Sequence, residues 1–322
     1  MGIRNLNRYL KDNCHDSIKC INIAELSGKR IVVDISIYLY KYESENALLE
    51  NMYVMLSIFR YYNIIPIFIF DGKPPAEKKA LLQKRREDRE TAQKEYDELK
   101  KQLEIKSDYD DKQDIMVSMV QLKKQFVQIN KEKIEIVKAL IRAHGATYYD
   151  APGEADELCA LLVIKKKVWA CLSEDMDLFV YGCTRVLRYF SLISHTVVLY
   201  YTKGILDELK MSQKEFKEIC VLSGTDYNIN VNGNKDKVNL KQTIKYFNKF
   251  KESNTCDFYY WLKENTIYIT DIELLNKINN MFTLDTVNDK LHVFNNIKIV
   301  NGPIMQDEIK NIMKEEDFIF CK

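Results

Sequence analysis

The stretch Phe68-Ile69-Phe70-Asp71-Gly72 ends an apolar run with an acidic residue, and this arrangement recurs along the 322-residue chain. Runs of β-branched and aromatic residues without helical periodicity are typical of strands that are buried on both faces. Strands separated by helical stretches predict an α/β fold with a central, mostly parallel sheet. The predicted strands cover Ile31–Val33, Ile64–Phe70, Ala146–Tyr149 and Trp169–Leu172.

Five such stretches supply seven carboxylates with no histidine or cysteine beside them. A single acidic residue after a strand is often only a turn or cap residue, but a parallel sheet gathers several strand ends into one crevice. Oxygen ligands suit Mg²⁺ or Mn²⁺, and two such ions about 3.5–4 Å apart are the usual apparatus for displacement at phosphorus. The sequence therefore predicts a two-metal phosphodiesterase. The seven residues are Asp34, Asp71, Glu154, Asp156, Asp175, Asp177 and Asp226.

One pair of these carboxylates follows the predicted strand at Ala146–Tyr149. Asp150 can cap a helix and Pro152 can open one, because proline tolerates the first helical position. This pattern predicts that Glu154 and Asp156 lie in the first turn of that helix.

Four motifs occur along the chain at Met1–Ile3, Asp71–Pro75, Ala151–Ala155 and Leu222–Tyr227. In sequence and in order they resemble motifs of the flap endonuclease family, structure-specific 5′-nucleases that cut branched DNA. The resemblance covers about residues 1–250 and implies the PIN-like 5′-nuclease fold, with a nuclease core over 1–226 and a C-terminal helical region over 227–322. It also implies that the seven carboxylates hold two Mg²⁺ ions, directly or through water, and that Mn²⁺ substitutes. Asp156 stands where relatives usually carry Glu, so its shorter side chain places more water before the ion.

The resemblance also assigns roles to four residues outside the carboxylates. Lys78 and Arg85 match basic residues that stabilise negative charge on the transferring phosphoryl group, and their spacing is close to two helical turns. A solvated helix face is the alternative. Tyr40 matches a tyrosine that stacks on the base beside the cut bond, with a core position as the alternative. Gly2 lies at the chain start, which in relatives approaches the substrate once Met1 is removed.

Residues 76–104 are highly charged and contain no glycine or proline, which predicts a long exposed helix. The resemblance implies a helical arch or cap at about 76–135, a gateway through which a free single strand threads. A plain coiled-coil arm is the alternative. We further predict a mobile break at Ser107–Lys112, and a following helix that includes Phe126, Ile129 and Ile141 and is ended by Gly145.

A second basic region, here called the lysine stripe, has a lysine at every fourth position and so forms one face of a helix. The resemblance implies a helix–two-turn–helix that grips duplex DNA. Relatives usually carry a Gly-x-Gly hairpin there that binds a monovalent cation, whereas this chain has Asn232-Gly233-Asn234, so we do not predict the cation site. The stripe consists of Lys237, Lys241, Lys245 and Lys249.

Composition excludes several other classes of protein. The eight cysteines show no Cys-x-x-Cys spacing and predict reduced intracellular thiols, while four histidines leave little room for triad chemistry. No apolar run is long enough to cross a membrane. Gln306 and Ile309 begin a sliding-clamp motif, but Ile312-Met313 replaces its aromatic pair, so clamp binding is not predicted. Abundant Lys, Asn, Ile and Tyr are typical of an AT-rich genome, such as that of a large DNA virus or a parasite.

We therefore expect a structure-specific 5′-nuclease that cleaves branched or gapped DNA in replication, repair or recombination. It would act at sites of DNA replication, in the nucleus or at a cytoplasmic viral replication site. One alternative is a related nuclease for four-way junctions or RNA, because one fold hosts several substrates. Another is a non-catalytic binder of branched DNA, which would be expected to lose metal ligands.

Overall fold

The computed structural model of the chain describes residues 3–105, 109–227, 239–253, 255, 257–269, 271–284, 298–314 and 318. At residues 104–105, 109–114 and 117 it describes the backbone alone. Gly2, Lys237 and the Asn232-Gly233-Asn234 segment lie outside the described residues.

A seven-stranded sheet forms the centre of the described part of the chain, in the order β1-β7-β6-β5-β2-β3-β4. Strands β6, β5, β2, β3 and β4 are parallel, whereas β7 and β1 each pair antiparallel with their neighbours. This mostly parallel sheet confirms the predicted α/β fold. The strands are β1 Ile18–Asn22, β2 Arg30–Asp34, β3 Ile65–Phe70, β4 Thr147–Asp150, β5 Ala170–Leu172, β6 Arg185–Arg188 and β7 Thr196–Tyr201.

Both faces of the central strands are buried, as the apolar runs predict. Val32 and Ile67 belong to one hydrophobic core, and Val33 and Phe68 belong to a second core on the opposite face. Successive strand residues point to opposite faces, so a continuous apolar run fills both cores. This burial holds the ends of the parallel strands in fixed relative positions.

Helices cover both faces of the sheet. No helix in the described ranges is long and apolar enough to cross a membrane. Short 3₁₀ helices also occur at Ile23–Leu26 and Ala76–Lys78. The α-helices are α1 Leu6–Asn13, α2 Ile35–Ser44, α3 Leu48–Tyr61, α4 Lys79–Ile105, α5 Tyr109–Lys123, α6 Lys131–Ala143, α7 Ala155–Ile164, α8 Asp177–Val180, α9 Thr202–Leu209, α10 Gln213–Ser223, α11 Leu240–Lys251, α12 Phe258–Asn265, α13 Ile272–Met281 and α14 Gln306–Lys314.

The predicted long charged helix corresponds to the 3₁₀ turn at Ala76–Lys78 followed by α4. Helix α4 packs against α5, and the rings of Tyr96 and Phe126 lie 5.3 Å apart. The break predicted at Ser107–Lys112 is wrong over residues 109–112, because α5 begins at Tyr109. Residues 107–108 lie outside the described part of the chain.

The next helix starts later than expected. Helix α6 begins at Lys131, after Asn130 accepts a hydrogen bond from the Lys133 N–H at 2.8 Å. Phe126 and Ile129 therefore precede the helix, because this cap determines its start. Gly145 follows the helix end with φ of 72°, a value that favours glycine.

Residues 298–314 fold back onto α3 and α6. Gly302 N–H donates to Gly145 O at 2.7 Å, and the Arg60 guanidinium donates to Gly302 O at 2.6 Å. Helix α14 contacts α6 and buries Ile309 and Met313 in the second core. The clamp-like residues Gln306–Met313 thus lie on a helix whose apolar face is packed.

Candidate active site

The seven carboxylates come from segments that end at the same edge of the sheet. Asp34 is the last residue of β2, and Asp71 directly follows β3. The parallel register of β2 with both β3 and β5 brings these strand ends side by side. The remaining acids lie at the start of α7, before and at the start of α8, and after α10; they are Glu154, Asp156, Asp175, Asp177 and Asp226.

Asp34 is buried between its neighbours, with 5% of its surface exposed. The Ser173 hydroxyl donates a hydrogen bond to its carboxylate at 2.8 Å. Burial raises the pKa of Asp34 to about 7, and the charges of Asp71 and Asp175 add to this effect, against the hydrogen bonds from Ser173 and Ser36. The strand end therefore holds a carboxyl whose ionisation is costly without a neighbouring cation.

Asp71 joins two segments of the site. It accepts the Ser36 hydroxyl at 2.6 Å and the Ala155 N–H at 2.8 Å. Beside it, Gly72 donates to Gly153 O at 2.7 Å, and a Cβ at position 72 would collide with the backbone oxygen of Ala151. Position 72 therefore requires glycine, because the backbone that leads into α7 passes too close for any side chain.

The predicted helix start at Pro152 is wrong by three residues. Helix α7 begins at Ala155, with Glu154 at its N-cap and Asp156 in its first turn. The hydrogen bond from the Ala155 N–H to Asp71 satisfies a donor at the helix start, so a tertiary contact determines the boundary. Asp156 is buried, and its pKa is raised by this burial and then by the charges of Asp175 and Glu154.

Asp175 and Asp177 lie on the turn that leads into α8. The Asp177 N–H donates to Asp175 Oδ1 at 2.9 Å, and the Asp175 N–H donates to Ser173 Oγ at 3.1 Å. Asp177 is 1% exposed, and its Oδ1 has no hydrogen-bond donor among the described residues. Burial, followed by the charges of Asp175 and Asp156, raises the pKa of Asp177.

Lys78 and Arg85 both reach this acidic cluster. Lys78 Nζ lies 2.5 Å from Glu154 Oε1, and an Arg85 guanidinium nitrogen lies 3.0 Å from Asp226 Oδ2. Burial alone would lower the pKa of Lys78, but the charges of Asp156, Glu154 and Asp226 outweigh it, so the pKa lies above its ordinary value. Both residues thus direct positive charge toward the carboxylates.

Tyr227 is a site residue that the sequence reasoning quoted within a motif but did not single out. Its hydroxyl donates to Glu154 Oε2 at 2.6 Å, and Lys78 Nζ lies 5.1 Å from its ring centroid. Burial raises the pKa of this phenol, so it remains a proton donor to Glu154. The tyrosine therefore positions the Lys78–Glu154 pair. Ser36 and Ser173 were also missed; only their closeness to the acidic stretches could have indicated them.

The expected DNA-contacting residues that the structure describes are exposed. Tyr40 on α2 is 49% exposed, whereas Tyr38 and Tyr42 on the same helix are each 1% exposed and belong to the core. Along α11, Leu240 and Phe247 are buried. The lysine-stripe residues on the opposite side of α11 are exposed: Lys241, Lys245 and Lys249.

The donor chemistry of the cluster fits a hard divalent cation. All seven side chains offer oxygen, and the unpartnered buried oxygen of Asp177 and the raised carboxyl pKa values indicate uncompensated negative charge. As the side chains stand, no group of three acidic, histidine or cysteine residues in the described ranges is arranged to hold one ion. In this arrangement Lys78 forms an ion pair with Glu154, and Arg85 forms one with Asp226.

Comparisons with known proteins show which family this chain is similar to. The XPG N-terminal domain matches residues 1–92 and the XPG I-region matches residues 145–226. Flap endonuclease 1 of Glossina morsitans morsitans is 31% identical over 79% of this chain and 68% of its own length. A probable RAD2-like endonuclease of Invertebrate iridescent virus 6 is 26% identical over 90% of this chain and 81% of its own length.

Solved structures of similar fold include nucleases bound to DNA. The catalytic core of Rad2 with a DNA substrate has a TM-score of 0.64 at 21% identity, over 98% of this chain and 94% of its own. The flap endonuclease-1 of Methanococcus jannaschii has a TM-score of 0.62 at 23% identity, over 94% and 91% of the two chains. With the matched domains, the similarity to flap endonuclease 1 and the clustered carboxylates, this chain belongs to the flap endonuclease family of structure-specific 5′-nucleases.

Proposed function

We propose that this chain hydrolyses phosphodiester bonds in branched or gapped DNA next to a free 5′ strand, with two Mg²⁺ ions as cofactors and Mn²⁺ as a substitute. The observation that carries this proposal is the convergence of seven carboxylates and two cations at one edge of the sheet. A non-catalytic binder would not need this set, because buried carboxylates without a cation destabilise the fold.

The carboxylates are proposed to hold the ions directly or through water. The set is Asp34, Asp71, Glu154, Asp156, Asp175, Asp177 and Asp226. Bound divalent ions would supply charge stabilisation for the attacking and leaving oxygens and lower the pKa of water. The chain's own contribution is to hold the carboxylates at fixed positions, through the Ser36, Ser173 and Ala155 hydrogen bonds.

Lys78 and Arg85 are proposed to bind the oxygens of the phosphate that is cut. In the free protein each is paired with one carboxylate, so both side chains are already held at the site. Negative charge that builds on the phosphoryl group would attract them more strongly than the ground-state diester does. The Tyr227 hydroxyl donates to Glu154, so it would keep this carboxylate oriented when Lys78 leaves it to bind the phosphate.

The remaining contacts are proposed to hold the DNA on either side of the cut. Tyr40 is exposed enough to stack on a base, and the lysine stripe would neutralise phosphates of the duplex. Helices α4 and α5 are proposed as the gateway for a free single strand, and the charged, largely exposed surface of α4 suits that role. Action would take place where DNA is replicated or repaired.

A cleavage assay on labelled substrates tests the proposal. The panel contains a 5′ flap, a gapped duplex, a four-way junction and single-stranded RNA, each with Mg²⁺ or with EDTA. We expect cleavage of the flap and the gap with Mg²⁺ only. Asp177→Asn should abolish cleavage while DNA binding stays nearly intact, because the buried oxygen that lacks a partner would no longer carry charge. Asp307→Asn, at an exposed position on α14, serves as the matched control.

Two outcomes would contradict it. Normal turnover of Asp177→Asn would remove the two-metal assignment. Preference for the junction or for RNA over both flap and gap would place the chain with nucleases of a different substrate class.

A further inference from the structure

A groove of about 650 Å³ lies at the amino edge of the parallel strands, opposite the carboxylates, and is called here the amino-edge groove. Arg30 begins β2, Trp169 directly precedes β5 and Arg185 begins β6. Strand β7 runs antiparallel to β6, so its last residue, Tyr201, pairs with Arg185 at this same edge. The groove therefore crosses the ends of four neighbouring strands.

Cationic side chains line this groove and no carboxylate does. Five of the cations form no ion pair with any carboxylate in the described part of the chain, so their charge remains available. A cleft lined by one sign of charge concentrates its field and attracts counter-ions. These five residues are Lys29, Arg30, Lys166, Arg185 and Lys203.

Two aromatic rings hold the central cation of the groove. The Arg185 guanidinium lies 5.0 Å from the Trp169 ring centroid and 5.7 Å from that of Tyr201, and Lys29 Nζ lies 5.9 Å from Trp169. Both arginine distances are within the range of a cation–π contact. The rings restrict the guanidinium while its N–H donors remain able to bind an anion. Tyr201 is 39% exposed, so part of its ring is free for stacking.

We propose that the amino-edge groove binds single-stranded nucleic acid, as a second site separate from the cleavage site. Four strands about 4.8 Å apart span roughly 14 Å, so a groove across their ends can contact more than one phosphate of an extended single strand. Basic residues combined with exposed aromatic rings are the usual means of binding a single strand without sequence preference. An acidic polypeptide would satisfy the cations but would leave the aromatic rings without a stacking partner.

Trp169 provides a direct test, because the chain has only two tryptophans. The other, Trp261 on α12, packs against Phe250, so Trp261→Phe leaves Trp169 as the sole indole reporter. This variant is titrated in EDTA with an oligothymidylate of about eight nucleotides. We expect saturable quenching of Trp169 fluorescence, because a base or phosphate would approach the ring.

Charge-neutral variants show whether the cations cause the binding. Lys29→Gln, Arg185→Gln and Lys203→Gln together should weaken the titration and lower the slope of log affinity against log salt by about 2, at about 0.7 per phosphate contact. The matched control replaces three exposed lysines elsewhere, Lys19, Lys310 and Lys314, with glutamine. It should leave the titration unchanged.

Two results would overturn the proposal. The first is an oligonucleotide that binds, by anisotropy, without any change in Trp169 emission. The second is quenching by polyglutamate but not by the oligonucleotide, which would make the groove a site for acidic polypeptides. If Trp261→Phe does not fold, the difference between titrations of the wild type and of Trp169→Phe gives the same readout. Binding is measured without metal or flap, so the result is independent of the cleavage assay.

Discussion

Replacing Asp34 with asparagine should stabilise the metal-free protein, and the gain should grow as the pH rises. The carboxyl is buried at the end of β2, close to the charges of Asp71 and Asp175. These surroundings oppose ionisation, which asparagine avoids. Asparagine can still accept the Ser173 hydrogen bond through its amide oxygen.

The magnitude follows from the pKa of Asp34, which burial raises from 3.8 to about 7. The folded state then binds this proton more tightly than the unfolded state. Protonation of Asp34 therefore adds fully to the free energy of unfolding below about pH 4, and this contribution is lost as the pH rises to about 7. At about 1.4 kcal/mol per pH unit, the total loss is about 4 kcal/mol. Roughly 2.5 kcal/mol of this loss falls between pH 5 and pH 8.

Urea unfolding in EDTA at pH 5 and pH 8, followed by circular dichroism, measures this difference. The advantage of Asp34→Asn over wild type should be about 2.5 kcal/mol larger at pH 8 than at pH 5. Asp88→Asn, at an exposed position, should follow the wild type at both pH values. Added Mg²⁺ should reduce the advantage, because an ion bound to the folded wild type stabilises it. Parallel pH dependences of wild type and Asp34→Asn would refute the reasoning.

Three further predictions concern DNA. Lys78→Ala or Arg85→Ala should slow single-turnover flap cleavage by about 10²-fold or more with little loss of affinity; a change in KM alone would assign both residues to general backbone binding. Tyr40→Ala should weaken flap binding by about 1–3 kcal/mol while Tyr40→Phe retains it, and equal losses would exclude stacking. Glutamine at the three described lysines of the lysine stripe should lower the salt slope of duplex binding by about 2–3, and an unchanged slope would leave the stripe as a solvated face.

The strands and the acidic edge could be predicted because one physical cause determines both. A run such as Ile31–Val33 can fill cores on both faces only as a buried strand, and a parallel sheet then places its carboxyl ends together. Asp34 and Asp71 needed no further information to be expected side by side. The exposure of Tyr40 between buried Tyr38 and Tyr42 was not predictable, because three tyrosines at alternate positions do not show which face of α2 packs.

The features that the sequence did not reveal depend on contacts between distant residues. Helix α7 begins at Ala155 because its N–H binds Asp71, which is 84 residues earlier. Local cap and proline signals near Pro152 cannot report such a bond. The same holds for Gly302, whose backbone meets Gly145 across the chain, and for Tyr227, whose hydroxyl reaches Glu154. Each required the folded arrangement to bring the two partners together.

A net charge of +1 conceals a strong separation of charge across this sheet. Strand β2 has Arg30 at its amino end, in the basic groove, and Asp34 at its carboxyl end, in the acidic site. At about 3.3 Å per residue these ends are roughly 13 Å apart, well beyond the roughly 4–6 Å over which an opposite charge strongly favours the ionised form of a carboxyl. The groove therefore contributes little to neutralising the carboxylates, a task left to Lys78, Arg85 and bound cations. Each edge can consequently engage its own part of a nucleic acid, one by attracting phosphate directly and the other only after cations offset its charge.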